Sequence, residues 1–462
     1  MFNCKADEYG WPTKFKARLV ARGDMQRASI DFGELFAPTV SASSVRLLAA
    51  LACEQNLDLC HFDIEQAFVQ SELEEDVFMR LPQGCGRLSG LIVKLCKSLY
   101  GLKQASRQWH AHLTRCLLLL GFVQCLADAC VFRFMENGCV IMIIVVHVDD
   151  IFAVGQKERC DKFGRDLNEM VPVKNLGELK WYSACFYQRD LERGLLKISQ
   201  QRFAEELAAE YGVEWGKSVP LPVSVKLTDF DENEECADVP FRELVGSLMW
   251  LATQTRPDIA NSVRAVARYC ASPKMVHWKA ALGILGYVRR TSWMGITFQR
   301  GVVTGMSMQV FADADYASKA TDRRSVSGGL VMCGGGCVTW FSRTQKCVTL
   351  STTEAEYVAI AEVLKEVLFL RQVWRFMLPD AGMPCIPVFE DNQGAIQIAH
   401  NPITNSNSKH IDVRYHFIRE LVNRKEISIT HVPSEFQHAD FLTKAISKES
   451  FELHRDFVMN LQ

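Results

Sequence analysis

Two adjacent acids, Asp149 and Asp150, follow directly on Cys139–Val148, a run that is nearly all β-branched or apolar, and a second apolar run, Ile151–Val154, follows them. That pattern predicts a hairpin of buried strands with two carboxylates at its tip. A turn is the ordinary place for Asp. These flanks are so apolar, however, that the tip must lie close to a core, where neighbouring anions repel and are costly to desolvate without a cation. Asp63, in His61-Phe62-Asp63-Ile64, offers a third carboxylate from another strand-like segment. Three such acids on neighbouring strands would hold two Mg2+ ions about 4 Å apart, the arrangement that stabilises both attacking and leaving oxygens in phosphoryl transfer. Spacing alone does not bring Asp63 to Asp149 and Asp150.

A second set lies in the last third of the chain. Val310-Phe311-Ala312-Asp313 is a strand ending in an acid, and Phe389-Glu390-Asp391-Asn392 is another. A helix over Ser351–Met377 supplies Glu354 and Glu356. Ser351 with Glu354 forms an S-x-x-E capping box, so Glu354 has a structural task. Glu356 lines up at helical spacing with Ile360, Val363, Val367 and Leu370, heading an apolar stripe that faces the core. Asp440 opens a final helix and can supply a fourth carboxylate. Four acids on a small α/β scaffold again suit two Mg2+ ions, here activating water against a phosphodiester.

The elements that must position these groups follow from composition and period. The chain has 462 residues, 48% hydrophobic and 23% charged, with a net charge of −2. At about 100–200 residues per domain this gives two to four domains with ample core, and it excludes wholesale disorder. The longest apolar run, Cys139–Val146, is far short of the roughly 20 residues that cross a bilayer, so no membrane helix is expected. The polar N-terminus excludes a secretory signal. The 17 cysteines include no C-x-x-C pair and read as free thiols. Charge is unevenly spread. Leu47–Met79 has eight acids and no Lys or Arg, whereas Val77–Ala127 has seven basic residues and no acid. The acidic block suits divalent cations and the basic one phosphates, or the two are simply solvated surfaces of opposite sign. Ser43–Ala52 and Trp109–Leu120 (ended by Gly121) read as helices of a first block, residues 1–224. An acidic linker spans 225–240. After 241–304, residues 305–446 alternate strands (308–312, 329–332, 387–390, 427–431) with helices, and 447–462 form a tail.

The quoted residues sit within runs that resemble a known family. Lys16-Ala17-Arg18-Leu19-Val20-Ala21-Arg22-Gly23, Phe36-Ala37-Pro38, Phe62 to Phe68, Ser98 to Ala105, Val148-Asp149-Asp150, Asn175 to Lys180 and Gly246 to Leu251 are similar, in order, to the reverse transcriptase of copia-type retrotransposon Pol polyproteins. Asp313-Ala314-Asp315, Ser351 to Tyr357, Glu390 to Gln393, Lys409 to Asp412, Arg414 to Glu420 and Ala439 to Lys444 resemble its RNase H domain. The resemblance implies an α+β chain: a right-hand polymerase with fingers and palm (1–156) and palm end and thumb (157–224), then linker, connection segment (241–304) and an RNase H-like domain (305–446). It implies metal-binding palm acids at Asp63, Asp149 and Asp150, and nuclease acids at Asp313, Glu356, Asp391 and Asp440, with Asp315 competing for the first. Phe68 matches the aromatic under the incoming sugar, where a ring clashes with a 2′-OH. Arg18 matches a fingers position that contacts the triphosphate, with Lys16 nearby, and Gln104 matches a position beside nucleotide and template. The basic helix around His410 and Arg414 is either a contact to the nucleic-acid backbone or simply a solvated face.

The implied cofactor is Mg2+, two per site, with Mn2+ as substitute. The implied partners are an RNA template, a DNA primer, their hybrid, dNTPs and other parts of the polyprotein, inside a cytoplasmic particle or the nucleus. His147 stands where the family has Tyr, Ser106 where it has Pro, and the chain begins partway through the fingers. The expected function is RNA-directed DNA synthesis with RNase H activity. The alternative is a truncated or decayed remnant that binds nucleic acid without turnover. A small-substrate phosphotransferase is disfavoured, since no Gly-rich phosphate loop is present.

Overall fold

The computed structural model describes residues 2–6, 11–231, 233–303, 305–318, 322–400 and 412–461; His410 lies outside them, as do a few side chains within these spans, that of Lys16 included. The chain forms two compact units, Met1–Ser41 with Asp58–Leu179, and Ala42–Leu57 with Lys180–Gln462. It is α+β throughout.

The first unit is built on a six-stranded sheet in the order Val173–Glu178, Asp58–Ile64, Asp150–Gly155, Cys139–His147, Val131–Glu136, Phe122–Gln124, with every neighbour antiparallel. Cys139–His147 and Asp150–Gly155 are the expected hairpin, and consecutive residues of both, 142–146 and 151–155, are buried as a central strand requires. Helices Ala105–Leu119 and Lys157–Asn168 contribute Trp109, Leu113, Phe163 and Leu167 to one core with Phe62, Phe132 and Ile144. Phe62 meets Phe163 edge to face at 5.3 Å. It also fills the space where a Cβ on Gly164 would fall, 2.7 Å from Phe62 Cε1. Ala at 164 would gain helix propensity but overpack this contact. Gly164→Ala is therefore expected to destabilise the unit by about 1 kcal/mol net, read by chemical denaturation; a stabilised variant would contradict the packing described.

The second unit contains a four-stranded antiparallel sheet, Trp181–Tyr182, Cys185–Asp190, Leu195–Ser199, Gly295–Gln299, and a five-stranded one. The five-stranded order is Gly336–Thr344, Val326–Cys333, Met308–Asp315, Ile386–Glu390, Ile427–His431. Its first three strands are antiparallel and its last two join in parallel. The long helix Thr352–Met377 packs on this sheet with Ile360, Val363, Val367 and Leu370 buried, as its stripe requires. Ser351 Oγ accepts from the Glu354 N–H at 3.2 Å, but Glu354 accepts from Leu350 N–H (2.7 Å) rather than from Ser351.

Three expectations are corrected here. The helix read in the first block, observed as Ala42–Glu54, belongs to the second unit. Its apolar residues leave no polar face, so it is buried all round, and Arg46 is satisfied by the Val338 carbonyl at 3.0 Å and the Trp340 ring at 4.0 Å. Asp440 opens only a single short turn, Asp440–Leu442. The tail contains a helix, Lys448–Met459, whose Phe451, His454, Val458 and Met459 are buried. Among the described residues no disulfide joins the cysteines, and no helix is long and apolar enough to cross a membrane.

Candidate active sites

In the first unit, hairpin register sets the geometry. Asp63 on the Asp58–Ile64 strand is directly paired with Asp150, which in turn faces His147. Cross-strand partners present their side chains on one face, so Asp63 and Asp150 sit side by side. Asp149 occupies the turn, its carbonyl accepting from Ile64 N–H at 2.9 Å. The preceding residue, Val148, holds φ at +60°, a conformation a β-branched side chain seldom adopts. Trp109 fastens it by donating from Nε1 to the Val148 carbonyl at 2.7 Å. Burial pushes the Asp149 carboxyl above its ordinary range, and Asp150 and Asp63 add to this. His61 Nε2 lies 3.2 Å from Asp150 Oδ1.

Phe68 and Tyr100 stand edge to face at 4.9 Å, the Arg18 guanidinium is 5.7 Å from the Tyr100 ring centre, and burial followed by Asp149 raises the Tyr100 pKa. Arg18, Phe68 and the acids are thus linked through Tyr100, a residue the sequence motif contains but to which no role was given. Gln104 does not join them. It is fully buried, donates to the Asp31 carbonyl (2.9 Å) and Glu75 (3.3 Å), and accepts from Gln26 (3.0 Å). The acidic and basic blocks partly pair with each other, Lys94 with Asp76 at 2.6 Å and Arg107 with Glu74 at 3.6 Å.

In the second unit, acids arrive from separate segments. Asp313 comes from the central strand, Glu356 from the first turns of the long helix, Asp391 from the residue after the Ile386–Glu390 strand, and Asp440 from its own short turn. Oxygens of Asp313, Asp391 and Asp440 lie within 4.8 Å of one another. A second group, Glu356, Glu390 and Asp391, meets the same limit. Asp315 is in neither group. Asp63, Asp149 and Asp150 do not converge to that degree.

Burial pushes Asp313 up to about 8, with Asp440 adding and Lys444 and Thr443 opposing; Thr443 Oγ1 donates to Asp313. Glu356 and Glu390 are also raised well above the usual range by burial first and by neighbouring acids next. Burial alone would lower Lys444, but Asp313 and Asp440 outweigh it and hold the ammonium charged, 3.0 Å from Asp440 Oδ1. Ser434 Oγ donates to Asp391 at 2.6 Å.

Sequence reading missed Glu390. The signal was present: Ile386, Val388 and Glu390 alternate onto the buried face of one strand, which puts an acid where a core residue belongs. It also gave no role to Thr443, Lys444 or Ser434.

The donor set fits divalent cations. Glu356 Oε2 and Glu390 Oε2 are buried with no hydrogen-bond partner, and hard oxygen donors crowded at this density are what Mg2+ or Mn2+ satisfies. A stability profile follows. Folded Asp313 keeps a proton that the unfolded chain loses near pH 4, so the metal-free protein should lose stability as pH rises from about 4 to about 8, by at most about 1.4 kcal/mol per pH unit per such proton, and level off above. Added Mg2+ should flatten that fall. Urea melts at pH 5 and pH 8, with and without Mg2+, measure it; a metal-free protein more stable at pH 8 than at pH 5 would contradict it.

Residues 1–224 match the family described as "Reverse transcriptase (RNA-dependent DNA polymerase)". The chain is 34% identical, over 99% of its length, to the "Retrovirus-related Pol polyprotein from transposon TNT 1-94" of Nicotiana tabacum, covering 35% of that protein. It is 32% identical, over 98%, to that from transposon RE2 of Arabidopsis thaliana, covering 31%. The chain therefore spans about a third of the length of these curated relatives. Among solved structures, the N-terminal RNase H domain of a Mycobacterium tuberculosis protein, fused to maltose binding protein, aligns with 32% of this chain and 96% of that one at 14% identity, with a TM-score of 0.24.

Proposed function

We propose that this chain, which belongs to the reverse transcriptase family through residues 1–224 and is kin to copia-type Pol polyproteins along nearly its whole length, copies RNA into DNA in its first unit and cuts the RNA of the resulting hybrid in its second. The observation that carries the reading is convergence. In the second unit Asp313, Asp391 and Asp440 meet from distant parts of the chain; in the first, Asp63 pairs with Asp150 across two strands and Asp149 lies at the turn beside them, a looser set.

Divalent cations bound there would neutralise the carboxylates and favour a nucleophilic oxygen against phosphorus. The chain's own residues do the positioning. Trp109 holds the turn that presents Asp149, and His61 orients Asp150. Thr443 fixes Asp313, Ser434 fixes Asp391, and Lys444 keeps a positive charge beside Asp440 where a phosphate oxygen can be received. On this reading Phe68 and Arg18, both in contact with Tyr100, would meet the sugar and the triphosphate, and Lys16 belongs to the same proposal. The partners on this reading are an RNA template, a DNA primer, their hybrid, dNTPs and the rest of a Pol polyprotein.

The test is a pair of assays on one preparation of folded chain in Mg2+: primer extension on an RNA template, and cleavage of hybrid RNA. Both activities are expected. Absence of both, beside an active control, would overturn the proposal. A second reading, nucleic-acid binding without polymerase turnover, is favoured by Gln104, whose amide is taken up by Asp31, Glu75 and Gln26; hybrid cleavage without primer extension would support it.

A further inference from the structure

The four-stranded sheet of the second unit has a face that the proposed chemistry leaves unused. Tyr187, Leu196, Ile198, Ile296 and Phe298 are buried on its inner side. Strand alternation sends the residues between them to the other side. There Gln188 is paired directly with Lys197 and Lys197 with Thr297; one step along, Asp190 is paired with Leu195 and Leu195 with Gln299. Cross-strand partners share a face, so these two rows floor a cavity of about 350 Å3, which Trp293, Arg193 and Asn460 also line. That volume lies within the range of small-ligand sites.

The polar groups of the floor are unspent. Among the described residues the Arg193 guanidinium and the Gln188 and Gln299 amides have no hydrogen-bond or ion-pair partner, and the Lys197 ammonium has no counter-ion. Burial lowers the Lys197 pKa, and a half-buried cation without a counter-ion is relieved by an anion. Its Nζ lies 5.4 Å from the centre of the Trp293 ring, and that residue is 49% exposed. Asp190 is the one acid among the described lining residues, and one of its oxygens already accepts from the Arg193 N–H at 3.0 Å. An open aromatic ring, two unpaired cations and two unspent amides around one cavity complement the parts of a nucleotide: the ring its base, the amides the base edge, the cations its phosphate.

We propose that this cavity binds one unpaired nucleotide of a single-stranded nucleic acid, its base stacked on Trp293 and hydrogen-bonded by Gln188 and Gln299, its phosphate received by Lys197 and Arg193. A base kept within a duplex cannot enter a recess, so the site selects single strands over hybrid. This rests on reading the chain as one that works on nucleic acid. It uses none of the carboxylates assigned to chemistry, which lets the two be tested apart.

The full chain, in EDTA, is titrated into a short labelled oligouridine and into a blunt RNA–DNA hybrid of equal length, and binding is followed by fluorescence anisotropy. Trp293→Ala should weaken oligouridine binding about 10-fold and leave hybrid binding unchanged, while Trp293→Phe, which keeps a ring, should restore most of the loss. Lys197→Gln should weaken the single strand as well and reduce the slope of log affinity against log salt by about 0.7. Irradiating a probe that carries iodouridine should cross-link it to the peptide containing Trp293. Unchanged oligouridine binding in both variants, an equal loss for hybrid and single strand, or cross-links confined to other peptides would overturn the site; primer extension and hybrid cleavage by the parent would then still uphold the functional reading. A parent inactive in both assays that nevertheless holds oligouridine through Trp293 would keep the site and sink that reading. Melting curves guard against misfolding. Should Trp293→Ala fail to fold, Gln188→Ala combined with Lys197→Gln, both on the open face, takes its place, with the same selective loss expected and unchanged binding counting against the proposal.

Discussion

Asp391→Asn is expected to lower cleavage of hybrid RNA by at least about 10³-fold, a loss on the scale of removing a preorganised charge from a transition-state site. Among the described residues Asp391 alone belongs to both groups of converging acids, so its neutralisation weakens both at once. The substitution preserves shape, and Ser434 can still donate to the side-chain oxygen it now meets at 2.6 Å. The fold should therefore persist, and primer extension, whose acids lie in the first unit, should stay near that of the parent. Gel assays of both activities on one preparation measure this; hybrid cleavage within tenfold of the parent would remove Asp391 from the chemistry.

The second large effect is expected at the hairpin. Asp149→Asn should reduce primer extension by about 10³-fold or more while hybrid cleavage continues. Burial disfavours the charged form of Asp149, and Asp150 and Asp63 add to that. It is also held by an unfavourable backbone, with Val148 at φ +60° and Trp109 bonded to its carbonyl. Local strain retained at a carboxylate is what a site that needs one exact placement keeps. Asp150, already engaged with His61 at 3.2 Å, should tolerate Asn better. If Asp150→Asn proves the more damaging of the two, these roles are exchanged.

Much of this was readable before any coordinates. The Cys139–Val148 run announces a central strand because few other environments accept so many consecutive β-branched residues, and the acids after it inherit their place from the turn. Glu356 is legible because four apolar residues at helical spacing fix which way it points. What escaped depended on partners distant in sequence. Gln104 sits in a motif yet spends its amide on Gln26, Asp31 and Glu75, which no local pattern reveals. The strand Gly336–Thr344 went unread because glycine and polar residues interrupt its period, although the sheet buries most of it. Glu390 was hidden by its neighbour: beside Asp391, it read as one acid of a pair rather than as a core position. The blocks of opposite charge were visible, but the ion pairs between them were not.

Helix Ala42–Glu54 carries a consequence for the order in which the chain is made. Its core contacts, the Val338 carbonyl and the Trp340 ring for Arg46 and the Phe298 carbonyl for Cys53, are synthesised some 245 to 294 positions later. On a ribosome adding about 5–20 residues per second, the greasy segment is born well ahead of the cradle that receives it, and must be shielded meanwhile. A gene cut at the boundary between the halves would strand it on the wrong fragment, leaving one product with a sticky peptide and the other with a hole in its centre.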